Sequence, residues 1–192
     1  MTSLFFSTKS TQKAKYSIPN PLDYETVLGI LHNQTLLQQV FWPASLNTPI
    51  QEENRAGPDL TNISIGLPDP KVNWSLSTHA NGVTCIEEMP LGFVATVTYT
   101  VYRADADATT SEAEPNLLKP GTLSDSKLYL EEERTIRALK PILGWINFND
   151  GPIIKTQNLA RLLEEISRNG NDIGSALASL CSAGKADKFK EE

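Results

Sequence analysis

The feature that most limits how this chain can fold is the alternating run Lys127 to Leu139, followed after a short link by an amphipathic stretch. Leu128, Leu130, Glu132, Arg134, Ile136 and Ala138 fall on one face of an extended strand. Tyr129, Glu131, Glu133, Thr135, Arg137 and Leu139 fall on the other. The first face is the more apolar and is expected to point inward. It therefore carries Glu132 and Arg134 toward the interior, where charges persist only when paired or hydrogen-bonded. The plainer alternatives are a structural ion pair at the mouth, or faces assigned one residue out of step. From about Pro152 onward, Leu159, Leu162, Leu163 and Ile166 repeat with helical spacing, and Asn169-Gly170 supplies a stop. Asp150 or Gly151 is the expected cap. A long strand followed by a long helix predicts a helix laid across a curved sheet, with a cavity between them.

With 192 residues the chain has room for one well-filled core. Its net charge of −6 argues against nucleic acid as a partner, because phosphate binding needs clustered Lys and Arg. Two cysteines, Cys85 and Cys181, are too few for a disulfide framework. Free thiols, no visible secretory signal and no apolar run long enough to span a bilayer together predict a cytoplasmic protein. Only two histidines occur, His32 and His79, far apart and without nearby cysteines, so no metal site is expected. The acidic run 104–126 lacks calcium-loop spacing and reads as a loop. No Gly-x-Gly-x-x-Gly or phosphate loop is present, and nucleotide cofactors are disfavoured; no cofactor is expected.

The remaining elements follow in order. Phe6, Thr8, Ser10, Gln12, Ala14, Tyr16 and Ile18 mark the inner face of an opening strand, with Lys9, Lys13 and Lys15 outside. Asn20-Pro21 suits the start of a helix, and Tyr24, Val27, Leu28 and Leu31 continue it to a kink near His32-Asn33. Leu36, Leu37 and Val40 form a second short helix. A short strand is expected over Ser45–Ile50, then a polar loop over Gln51–Asp59. Strands follow over Leu60–Leu67, Val72–Thr78, Val83–Glu88 and Phe93–Tyr102, with Asn81-Gly82 predicting a type I′ hairpin turn. Pro141 starts a helical turn, and Asp172–Ser182 reads as a last helix.

This order resembles the helix-grip fold of the START and birch-pollen-allergen superfamily, which includes polyketide cyclases and aromatases. The resemblance rests on the opening strand Leu4–Ile18, the helix pair around Val27-Leu28-Gly29-Ile30-Leu31-His32 and the closing strand Leu128-Tyr129-Leu130-Glu131-Glu132. These pieces are similar to a group of filamentous-fungal proteins of that superfamily. The expected class is α+β: a curved antiparallel sheet wrapped around a long C-terminal helix, with two short helices after the first strand. Residues 1–170 form the ligand-binding domain in this reading, and 171–192 a helical extension and charged tail. The resemblance implies an internal cavity for an apolar or polycyclic small molecule, held by a monomer or homodimer.

Within that frame, Glu132 and Arg134 are the candidates to orient a substrate carbonyl and move a proton. Tyr99, on the Phe93–Val101 face, is a candidate hydrogen-bond donor to a developing oxyanion. Trp74, Leu130, Ile136 and Trp145 are candidate ligand-binding residues. The function expected is a cofactor-independent cyclase or isomerase of secondary-metabolite biosynthesis. A non-catalytic lipid or metabolite carrier is the alternative, and a closed interaction module is a third.

Overall fold

Lys127–Leu139 form one unbroken strand, β8, and Phe93–Ala104 form its neighbour β7. The computed structural model describes residues 5–10, 13–42, 50–57, 60–65, 72–104, 127–144, 153–170 and 172–186. The other strands are β1 (Phe6–Ser10), β2 (Ala14–Ser17), β3 (Ile50–Gly57), β4 (Leu60–Ile65), β5 (Val72–His79) and β6 (Gly82–Met89). All pair antiparallel in one sheet of order β1-β8-β7-β6-β5-β4-β3, with β2 also on β8. Helices α1 (Tyr24–His32) and α2 (Gln34–Phe41) follow β2, and α3 (Lys140–Leu143), α4 (Ile154–Arg168) and α5 (Ile173–Ala186) follow β8.

Register decides which side chains face the helices. Tyr99 stands opposite Glu132, Val97 opposite Arg134 and Val101 opposite Leu130. Val83 stands opposite Tyr99, and Cys85 opposite both Val97 and Leu76. These residues are buried together with Leu159, Leu162, Leu163 and Ile166 of α4. Complete burial of each such aliphatic side chain contributes roughly 1.5–3 kcal/mol. Packing against the sheet therefore dominates the stability of α4. Its cap position is Ile153, with no side-chain cap bond, and not Asp150 or Gly151 as expected. Gly170 ends α4 with φ +62, as a left-handed stop requires. Ala176 of α5 is fully buried against the same core.

Four local expectations need correction. The opening strand is split: Ser10 pairs with Thr135 and Ala14 with Glu132, so β1–β2 spends one residue more than β8 over that span. The bulge inverts the faces. Ala14 and Tyr16 share the inner face as expected, but Phe6, Thr8 and Ser10 lie with the outer residues of β8. The cap of α1 is Asp23, whose side chain accepts from the Thr26 N–H at 2.7 Å, three residues beyond the expected cap Asn20. Asn33 both ends α1 and caps α2 through Leu36 N–H, which is the predicted kink. The polar run 51–57 is strand β3 rather than loop. It ends the strand order among the described residues.

The fourth correction concerns the hairpin after β5. His79 pairs with Gly82, so the turn is Ala80-Asn81, and neither residue has the positive φ of a type I′ turn. Gly82 is required for another reason. A Cβ there would overlap the Tyr99 carbonyl oxygen of β7. Gly82→Ala should therefore destabilise the fold by about 1–3 kcal/mol, the usual cost of overpacking. Urea unfolding reads this directly, and an unchanged midpoint would contradict the close approach.

Candidate functional site

Three polar side chains are buried among the described residues: Glu132, Arg134 and Thr156. Glu132 and Arg134 project from alternate positions of β8 onto the inner face. Glu132 is 1% exposed, and Arg134 Nε lies 2.9 Å from its Oε1. That contact is an ion pair without hydrogen-bond alignment, and Oε1 has no hydrogen-bond donor among the described residues. The other oxygen, Oε2, accepts from the Tyr16 hydroxyl at 3.0 Å. Tyr16 reaches it from β2 because Ala14, two residues earlier, stands directly opposite Glu132.

Burial, then the Glu132 carboxylate beside it, pushes the Tyr16 hydroxyl up to about 12, with Arg134 opposing. Tyr99 is fully buried. Its hydroxyl lies 2.8 Å from Thr156 Oγ1 on α4, and its ring stacks on Phe41 at 5.5 Å. Burial raises its pKa well above 10.0, and the Thr156 bond works against that shift. Tyr99 thus ties sheet to helix in this state.

A cleft of about 130 Å³ opens between β2 and α4. Tyr16, Ser17, Ile18 and Pro19 line one side, Leu130 the floor, and Ala160, Leu163 and Glu164 the other side. A second cleft of about 330 Å³ lies on the outer face, bordered by Phe6, Glu88, Pro90, Gly92 and Arg137.

Farther along the inner face, the Trp74, Glu87, Ala95 and Ile136 positions form one row across the sheet. Trp42 stacks flat on Trp74 at 4.3 Å, and its Nε1 donates to Glu87 Oε1 at 2.6 Å. Lys155 Nζ lies 2.6 Å from the same oxygen and 5.3 Å from the Trp42 ring centre. Cys85, one row away, is a buried free thiol whose pKa burial pushes up to about 12.

No family model and no curated protein matches the sequence. Solved structures do. Truncated norcoclaurine synthase from Thalictrum flavum aligns with TM-score 0.50 and 10% identity, over 86% of this chain and 99% of that one. Another structure of norcoclaurine synthase from Thalictrum flavum gives 0.49 and 11% over 83% and 88%. The protein Ara h 8.0201 gives 0.40 and 8% over 92% and 99%. At such identity only the first alignment carries an argument, and it concerns the fold.

The chain has the helix-grip fold. This is the architecture expected from the resemblance to the START and birch-pollen-allergen superfamily, and the likeness does not reach the fungal group. The grip brings Glu132, Arg134, Tyr99 and Leu130 together on its inner wall. Ile136 is half-buried on that wall. Trp74 is part of the tryptophan stack three strands away, about 14 Å at the usual strand spacing. Trp145 and the acidic run 105–126 lie outside the described residues. Among the described residues no group of His, Cys, Asp and Glu can hold a metal ion, and no helix is long and apolar enough to cross a membrane.

Sequence reasoning missed Tyr16, Thr156, Trp42, Glu87 and Lys155 as grip residues. Strand alternation already placed Tyr16 inward, and Thr156 is the one polar position in the buried stripe of α4. The raised Tyr16 pKa has a consequence for stability. Below pH 10 the phenol is neutral in both folded and unfolded chains, and its contribution is intact. Between 10 and about 12 the unfolded chain ionises first, so stability falls through that window. Urea unfolding across that range should show a steeper loss for the wild type than for Tyr16→Phe; equal slopes would contradict the placement.

Proposed function

We propose that this helix-grip protein binds a compact, largely apolar molecule against the inner wall of its sheet. It acts there as a cofactor-independent isomerase or cyclase of small-molecule biosynthesis. The observation that carries the reading is Glu132: a carboxylate buried on the inner wall, oriented by Arg134 and Tyr16, with one oxygen lacking a hydrogen-bond donor among the described residues. Once a guest is admitted beside it, such a carboxylate can remove a proton from carbon beside a carbonyl and return it to another carbon. The bond order shifts and no redox step is needed. Arg134 and Tyr16 fix the carboxylate, and Tyr99 would serve as an oxyanion donor only by releasing Thr156. The free, buried thiol of Cys85 accords with a cytoplasmic setting.

The described cleft, at about 130 Å³, suits one ring better than a polycycle, since a cavity near 150 Å³ holds benzene. The apolar lining of the same cleft, Ile18, Leu130 and Leu163, favours a second reading, a carrier that returns its guest unchanged.

Hydrogen–deuterium exchange beside the carbonyl of 2-hydroxycyclohexanone, followed by NMR, separates the two. Wild type should accelerate exchange, and Glu132→Gln should lose about 100-fold or more of that acceleration. Equal acceleration by the variant would remove Glu132 from the mechanism. Binding without any acceleration would favour the carrier.

A further inference from the structure

Glu132 has no exposed side-chain surface and does not line the cleft between β2 and α4. Tyr16 does both: it borders the cleft and bonds the buried carboxylate. We propose that this cleft is a binding site for a compact molecule with an apolar body and one hydrogen-bond donor, a hydroxyl or a protonated amine, which Tyr16 accepts.

Donors and acceptors at the cleft select the guest. The Tyr16 hydroxyl gives its single hydrogen to Glu132 Oε2. Its oxygen then has only lone pairs to offer a guest. Among the described lining residues Glu164 is the one charged side chain, exposed, an acceptor and ion-paired with Arg168 at 3.8 Å, and Ser17 supplies a hydroxyl. A ligand presenting only acceptors would meet lone pairs at Tyr16 and Glu164 and could be answered only by the exposed Ser17 hydroxyl. Ile18, Leu130, Ala160 and Leu163 supply apolar walls for the rest of the guest. The volume of about 130 Å³ limits that body to roughly a single six-membered ring. Through Tyr16, a bound donor touches the Glu132–Arg134 pair at one remove, which makes the cleft the approach to the proposed reaction centre.

This inference rests on the proposed function for its biological meaning but is tested apart from it. Cyclohexanol, cyclohexylamine and cyclohexane are alike in size and differ in the donor. Titrations followed by backbone NMR should show the first two saturating shifts around Tyr16, Leu130 and Leu163, with cyclohexane weaker. Tyr16→Phe should weaken cyclohexanol roughly threefold to tenfold, the value of one hydrogen bond, and leave cyclohexane unchanged. Glu164→Gln should weaken cyclohexylamine alone. Ala160→Leu, on the half-exposed side of α4, fills the cleft and should abolish all three while leaving the spectrum folded. Equal binding of cyclohexanol and cyclohexane, no effect of Tyr16→Phe, or saturation surviving Ala160→Leu would each overturn the site. Exchange chemistry lost with Glu132 but insensitive to Ala160→Leu would sink the cleft and spare the functional reading. The converse result would spare the cleft alone.

Discussion

An ion pair held inside a hydrocarbon interior is the constraint around which this structure is arranged. Strand β8 must bury Leu130 and Ala138, and strict alternation then buries Glu132 and Arg134 as well. Removing a carboxylate and a guanidinium from water costs several kcal/mol each, and their mutual attraction offsets this only with good geometry. Here one carboxylate oxygen has a tyrosine donor, and the other a charge contact out of line. A chain selected for stability alone would do as well with hydrocarbon at both positions. In the proposed function they are kept for the reaction.

The rest of the grip holds that pair in place. β7 lays Tyr99 and Val97 directly across from it, and α4 covers it with a leucine-rich face. The helix is fixed at several depths. Lys155 reaches Glu87 near its start, Thr156 reaches Tyr99, Asn158 reaches the Val40 carbonyl, and Ser167 reaches the Asn20 carbonyl. The end of α2 contributes Phe41 and its C-cap Trp42, so the aromatic stacks bind the opening segment to the sheet. The proposed catalysis would draw on such rigidity, because misplacing a reacting group by about 1 Å can cost a hundredfold in rate.

The inward direction of Glu132 and Arg134 was legible in the sequence because it depends only on a period of two along one strand. The long helix was legible for the same kind of reason. What escaped was set by partners. The bulge between Ser10 and Ala14 inverts the face of β1, and no composition signal marks it. Strand β3 reads as loop because its run 51–57 is polar. Gly82 looked like turn chemistry, whereas its role is close approach to Tyr99. Trp42, Glu87 and Lys155 come from three distant segments and meet only in the folded chain.

If the buried pair is kept for its chemistry, the fold should not need it. The direct measurement is the unfolding free energy of the double variant Glu132→Leu with Arg134→Met, set beside Glu132→Ala alone. Loss of one partner should cost about 3–5 kcal/mol, because it strands a buried charge, whereas the double apolar variant should equal or exceed the wild type. A double variant as unstable as the single one would show that the pair serves the architecture, and would contradict this account.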